Sequence, residues 1–451
     1  MRKLLSLFAV SAITVSAYAQ QSFTVDQSLE YALQNNVQVK KAKIDMTIAD
    51  QKVKETVGIG LPQINGEGKY NNFLNTPVQM FPAMLIPAQY LPPEMQGQDL
   101  SNVFIPLKFG QKHSMQGGFT LSQLLFNGSY IVGLESSKAY KETAALVKEK
   151  TDISIKEGIL LSYTGVLVMD ENIATLNENK KVLEKTLSDT KKTYEVGLIE
   201  YQNVEQLEYS YKNLTTNIEN LKRNRTKLLM ALKYLMGYPM EEPMELTSSL
   251  AELIDKNQRL VANDSVDLSK HIDIRMRENA LKLNELKLKL QKSKALPTLA
   301  AALSTNWAGN NNSFSDLLKG HFYNTSVFAL QLDVPIFSGL QRHWLTEQAK
   351  LDVEKARLDK DDTERNLKNE LFARATDYEN AFESYQTSKD LVSLSSEIYR
   401  KQQIKFKEGL GTSFDLMQSE NQLYESQGKL YNAALELINS AIKLDKANGT
   451  L

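Results

Sequence analysis

The chain has 451 residues, with 53 Lys and Arg against 54 Asp and Glu, a formal net charge of −1 and no cysteine. That length allows one large or two medium domains. The balanced charge gives no basic excess for nucleic acid, and the absence of thiols leaves neither a disulfide framework nor a cysteine to carry a lipid.

Met1 to Ala19 has a basic start (Arg2, Lys3), an apolar centre from Leu4 to Val15, and Ala17-Tyr18-Ala19 ahead of Gln20. This is the pattern of a secretory signal peptide, residues 1-19, with an Ala-x-Ala cleavage site; the apolar centre is too short to serve comfortably as a single anchor. Its removal takes the net charge from −1 to −3, because Arg2 and Lys3 leave with it. No later segment has a run of about 18 apolar residues, so any membrane crossing has to be made by β-strands.

Thr24-Val25-Asp26-Gln27 has capping-box spacing and opens a short helix to Asn35; a longer helix follows from about Val37 to Val57 and stops at Gly58-Ile59-Gly60-Leu61-Pro62. The period then changes. Ile64, Gly66, Gly68 and Tyr70 alternate with Asn65, Glu67 and Lys69 as a strand. Residues 71-113, rich in Pro, Met and aromatics, read as a long loop. Met80, Met84 and Met95 within it are soft-metal ligands only in the company of His or Cys at matching spacing, which is missing; packing inside the loop is the simpler reading. A second strand places Met115, Gly117, Phe119 and Leu121 opposite Gln116, Gly118, Thr120 and Ser122.

At Phe126-Asn127-Gly128 a long helix begins. It runs to Tyr194, turns at Gly197-Leu198, and returns from about Tyr201 to Met236, where Gly237-Tyr238-Pro239 stops it. Residues 240-270 form a connector with one short helix around Ser249 to Gln258. Ile272 to Lys294 is again helical. Leu299, Ala301, Leu303, Thr305 and Trp307 alternate as a third strand, Gly309-Asn310-Asn311-Asn312 begins a loop, and Phe328, Leu330, Leu332, Val334 and Ile336 mark a fourth strand. From Leu340 to Phe406 almost no Gly or Pro intervenes, which corresponds to a helix about 100 Å long. Leu371, Tyr378, Tyr385, Val392, Tyr399 and Phe406 recur along it every seven residues, the seam of a coiled coil, and Glu408-Gly409-Leu410-Gly411-Thr412 turns the chain into a second helix from Ser413 to about Lys446.

The pattern occurs twice. Ile159, Val166, Ile173, Leu187 and Tyr194 precede Leu371, Tyr378, Tyr385, Tyr399 and Phe406 by 212 positions, with Lys180 in the place of Val392, and Asn36 through Pro62 precedes His271 through Pro297 by 235. Between these blocks the first copy holds 24 extra residues. The chain therefore divides into a first repeat, 20-239, the connector and a second repeat, 271-451. Four strands cannot close a membrane barrel, since unpaired edges are intolerable in hydrocarbon and the smallest barrels need about eight strands. Three chains supply twelve, and their helices form a matching ring.

Leu61-Pro62 with Leu296-Pro297, Phe126-Asn127-Gly128 with Phe337-Ser338-Gly339, and the turns Val196-Gly197-Leu198 and Glu408-Gly409-Leu410, in this order and repeated, resemble the TolC-type outer-membrane efflux family. The resemblance implies a mixed α and membrane-β fold: a homotrimeric 12-stranded outer-membrane barrel, four strands per chain, continued by an α-helical coiled-coil barrel in the periplasm. It implies a passive duct and not an enzyme, without cofactor or metal, working with a periplasmic adaptor and an inner-membrane pump. The same architecture serves type I protein secretion, and an exported coiled-coil scaffold without a pore is the alternative of another class. By the same resemblance Gly197, Leu198, Gly409 and Leu410 are adaptor-docking tips, although each pair also serves as an ordinary helix-ending turn. Asp415 and Gln418 fall at the family's periplasmic entrance constriction. Gln418 stands where the family's pattern carries a second acid, and Thr412 to Asp415 equally has capping-box spacing.

Overall fold

The computed structural model describes residues 21–258 and 267–451; the signal peptide lies outside them, as do residues 259–266 of the connector. In chain order the elements are β1 (Gln21–Phe23), α1 (Val25–Asn35), α2 (Val37–Ile59), β2 (Gln63–Asn72), β3 (Val78–Pro82), β4 (Phe104–Lys108), β5 (His113–Asn127), α3 (Gly128–Glu195), α4 (Tyr201–Met236), β6 (Met244–Leu246), α5 (Leu250–Asn257), α6 (Ile272–Ser293), β7 (Thr298–Asn311), α7 (Phe314–Lys319), β8 (Tyr323–Asp333), α8 (Gln341–Lys407) and α9 (Ser413–Asn448). They fall into a helical unit, residues 21–49, 140–282 and 354–451, and a strand-bearing unit, 50–139 and 283–353.

In the helical unit the heptad positions become the core. Ile159, Tyr163 and Val166 of α3, Leu232 and Met236 of α4, Tyr378 of α8 and Leu437, Ile438 and Ala441 of α9 are almost fully enclosed, each large side chain contributing about 1.5–3 kcal/mol of transfer free energy. By length and composition α3 is also apolar enough to cross a membrane, a property the sequence reading gave to no helix. Ile159, Tyr163, Val166, Leu167 and Val168 are buried here, whereas Ile131, Tyr140 and Val147 of the same helix are exposed. Lys180, which interrupts the seam, places its ammonium 5.1 Å from the centre of the Tyr211 ring, so its stem stays within the seam while the charge finds an aromatic face.

Two short strands that the sequence did not reveal, β1 and β6, pair in parallel across more than two hundred residues, Gln21 opposite Met244 and Phe23 opposite Leu246. The buried Tyr163 hydroxyl ties them to the core, donating to Phe23 O at 2.7 Å and accepting from Ser248 N at 3.2 Å. The bases of the two hairpins are closed by related devices. Asn36 accepts from Gln38 N (2.7 Å) and donates to Leu235 O (2.6 Å). His271 Nδ1 accepts from Asp273 N (3.2 Å), which leaves its Nε2–H to donate to Lys446 O (3.3 Å). Each thus caps the start of one helix and satisfies the end of another.

In the strand-bearing unit β2, β5, β7 and β8 form an antiparallel sheet in that spatial order. Ile64 lies opposite Leu121, Leu121 opposite Leu303, and Leu303 opposite Phe328, so the four apolar rows coincide on one face. The neighbouring row, Asn65, Thr120, Ser304 and Val327, turns the other way. A close approach fixes one crossing: a β-carbon on Gly118 would stand 2.4 Å from Thr305 O. The long loop proves partly ordered, because β3 and β4 pair as a hairpin from Val78 opposite Lys108 to Pro82 opposite Phe104. Met80 and Met84 are exposed there, which overturns the expectation that they pack inside it. β7 continues through Gly309 to Asn311, beyond the loop start expected from its glycine, α7 follows it, and β8 ends at Asp333 ahead of Val334 and Ile336.

Candidate functional site

The two helical turns have the same geometry. Gly197 (φ 77°) and Gly409 (φ 70°) are left-handed. Gly197 N and Leu198 N donate to Tyr194 O (2.8 Å) and Thr193 O (3.2 Å), while Gly409 N and Leu410 N donate to Phe406 O (3.1 Å) and Lys405 O (2.8 Å). This is the Schellman arrangement, in which the residue after the glycine ordinarily packs back on the helix. Here it does not. Leu198 is 75% and Leu410 80% exposed, so the turns are closed by their backbones, and the leucines are left over for something else.

The structure brings the two turns together through the helices that follow them. The Ser413 hydroxyl, at the start of α9, lies 2.5 Å from both Asn203 Oδ1 and Gln206 Oε1 in the first turns of α4. Asp415 is exposed and forms a capping box with Thr412: Thr412 Oγ1 accepts from Asp415 N (3.1 Å) and donates to Asp415 Oδ2 (2.7 Å). Gln418 is exposed one turn further on. The local reading of Asp415 is therefore present in the chain, and both side chains remain open to solvent. Among the residues the sequence did not single out is Glu420, almost fully buried further along α9. A carboxylate four positions after Leu416 and three before Leu423 was the available signal.

Two surfaces have no partner among the described residues. One is the apolar face of the sheet, with Phe119, Leu303, Phe328, Leu330 and Leu332 exposed and with β2 and β8 as unpaired edges. The other is a second heptad row on α8, where Trp344, Leu351, Leu358 and Phe372 are exposed. Among the described residues no group of three or more His, Asp and Glu is placed to hold a metal ion.

Residues 267–450 match the outer membrane efflux protein family. The outer membrane protein TolC of Vibrio cholerae serotype O1 is 22% identical over an alignment of 470 residues, covering 100% of this chain and 96% of its own length. The alkaline protease secretion protein AprF of Pseudomonas aeruginosa is 21% identical over 276 residues, 59% of this chain and 55% of its own. The crystal structure of CusC superposes with a TM-score of 0.74 at 15% identity, covering 94% of this chain and 92% of that one. Residues 267–450 thus carry the pattern of the outer membrane efflux proteins, and over its whole length the chain is similar to TolC, an outer-membrane protein.

Proposed function

We propose that the chain is one of three identical subunits of a passive exit duct, which carries drugs or other small molecules received from an inner-membrane pump through a periplasmic adaptor. Its two repeats, 20-239 and 271-451, each contribute two strands to a 12-stranded barrel and one hairpin to a helical tunnel in the periplasm, with 240-270 as connector and 1-19 removed on export. The observation that carries this reading is the sheet: apolar on one face, polar on the other, and open at β2 and β8. Lipid suits the first face, water the second, and only neighbouring copies can pair the edges. The exposed row Trp344, Leu351, Leu358 and Phe372 supports lateral contact between helices of adjacent subunits. Purified protein in a planar bilayer should conduct ions as a heat-labile trimer; a silent, well-behaved monomer would falsify both pore and stoichiometry.

In this reading Gly197, Leu198, Gly409 and Leu410 form the adaptor-docking tips, supported by the two leucines that their own turns leave unpacked. Asp415 and Gln418 line the entrance, where three carboxylates brought near one axis would attract cations. The likeness to AprF, named for alkaline protease secretion, favours a second reading as the exit duct of a protein-secretion system. Deleting the gene separates the two: loss of drug resistance with an unchanged set of secreted proteins supports efflux, and the reverse supports secretion.

A further inference from the structure

Glu420 occupies a seam position of α9, and its side chain is 1% exposed. Tyr424 Oη donates to Oε1 at 2.6 Å. Neither Oε2 nor the hydroxyl of Ser210 on α4 makes a well-formed hydrogen bond, and the Ser210 hydroxyl acts on the carboxyl only as a weaker partner after Tyr424. Burial pushes the carboxyl above the ordinary glutamate range, with Tyr424 the main opposing partner.

The titratable groups that face Glu420 are Tyr424 on its own helix and Tyr399 on α8. Burial pushes both phenols upward, so they stay neutral and supply no counter-charge. From α4 come Ser210 and apolar neighbours such as Leu207, and from α3 the surrounding cluster receives Leu183. Two cations along α3 are engaged elsewhere, Lys180 over the Tyr211 ring and Lys191 with Glu208 at 2.6 Å. An ionised carboxylate with one oxygen short of a well-formed hydrogen bond in such surroundings favours any rearrangement that admits water. A destination is at hand: a polar groove of about 260 Å³, lined by Ser210, Asn213, Asn217, Asn421 and Tyr424, runs between α4 and α9.

We propose that Glu420 is a proton-operated latch between the two hairpins: protonated, it stays sealed between α9, α8 and α4; on losing its proton to water it draws α9 away from α4, so that the carboxylate reaches the groove and becomes hydrated. Because the sealed form holds the proton more tightly than the parted form, rising pH shifts the balance toward parting. One proton changes the ratio by up to about tenfold per pH unit between the two affinities. The latch rests on the duct reading only where it is expected to alter conductance; the movement itself does not depend on that reading.

The chain has no cysteine, so two introduced ones can be labelled selectively. Spin labels at Tyr209→Cys on α4 and Gln422→Cys on α9, both exposed positions, should show a longer distance component growing as pH is raised above the ordinary glutamate range. Glu420→Gln, which keeps the shape and cannot ionise, should hold the short distribution at every pH, while Glu208→Gln on α4 should keep the native response. Distances that do not vary with pH in the native background, or a pH response that survives Glu420→Gln, overturn the latch. Label movement that depends on Glu420 but leaves bilayer conductance unchanged supports the latch and tells against the hairpin ends as the duct's entrance.

Discussion

Glu208 and Glu420 stand 212 positions apart, the offset that joins the two hairpin seams, on helices of 36 residues each. Their environments are opposite. Glu208 lies at the surface, where the hydrogen bond from Lys191 holds its carboxyl below the usual range, with Lys212 adding to the effect. Glu420 is enclosed, and its carboxyl is raised by burial. The residues equivalent to Lys191 and Lys212 in the second hairpin are Gln403 and Tyr424. Exchanging two cations for neutral groups separates a solvated ion pair from a buried proton site. The repeated backbone sets where a side chain starts; its neighbours decide what charge it carries.

The largest expected effects compare the two turns. Leu198→Glu or Leu410→Glu, each placing a charge on an exposed apolar tip, should abolish efflux while trimer still reaches the outer membrane. Undiminished drug resistance in both variants would show that partners do not dock there. One turn into α9, Leu416→Ala empties a nearly fully buried site and should cost about 2–5 kcal/mol. Val204→Ala, at the equivalent position of α4 and also buried, removes a smaller volume of side chain and should cost less. Denaturant unfolding of both variants in detergent checks the order.

The two glutamates should also leave opposite signatures in a plot of melting temperature against pH. Glu208, lowered in the folded chain, contributes stability above the unfolded value of about 4.3, and that contribution is lost as pH falls through the folded value. Glu420, raised in the folded chain, contributes below about 4.3 and loses its contribution as pH rises through the folded value. Glu208→Gln should therefore flatten the acid limb and Glu420→Gln the neutral limb. Identical curves for the two variants would erase the distinction. The smallest effect on stability is expected at Asp415. Asp415→Asn should weaken cation selectivity while lowering stability by only about 0.3–1 kcal/mol; unchanged selectivity with a clearly lower melting temperature would make Asp415 a helix cap and no more.

Much of this architecture could be read from the sequence because its signals are local and periodic. The stretch from Leu340 to Phe406, almost without Gly or Pro, announced α8 within a residue at each end, and alternation set Ile64, Leu121, Leu303 and Phe328 each on the apolar face of its own strand, faces that the pairing then brings together. What escaped notice depends on distant partners. β1 and β6, three residues each, are strands only because they meet one another. Asn36 and His271 perform the same double capping with different chemistry, so residue identity hides the equivalence. The β3–β4 hairpin carries Pro82 and Pro106, residues that ordinarily argue against a strand, and an isolated two-stranded ribbon tolerates their missing donors because each strand has an outer edge.

The unpaired β2 and β8 edges also bear on how the protein is made. If each edge is completed by another chain, no single chain can thread its strands into hydrocarbon one after another, since every exposed peptide group would cost several kcal/mol there. Insertion must wait for a three-body encounter. The rate of biogenesis should then climb steeply with the supply of exported chains, and a low supply should strand single copies as sticky half-made sheets, a vulnerability that a one-chain porin does not share.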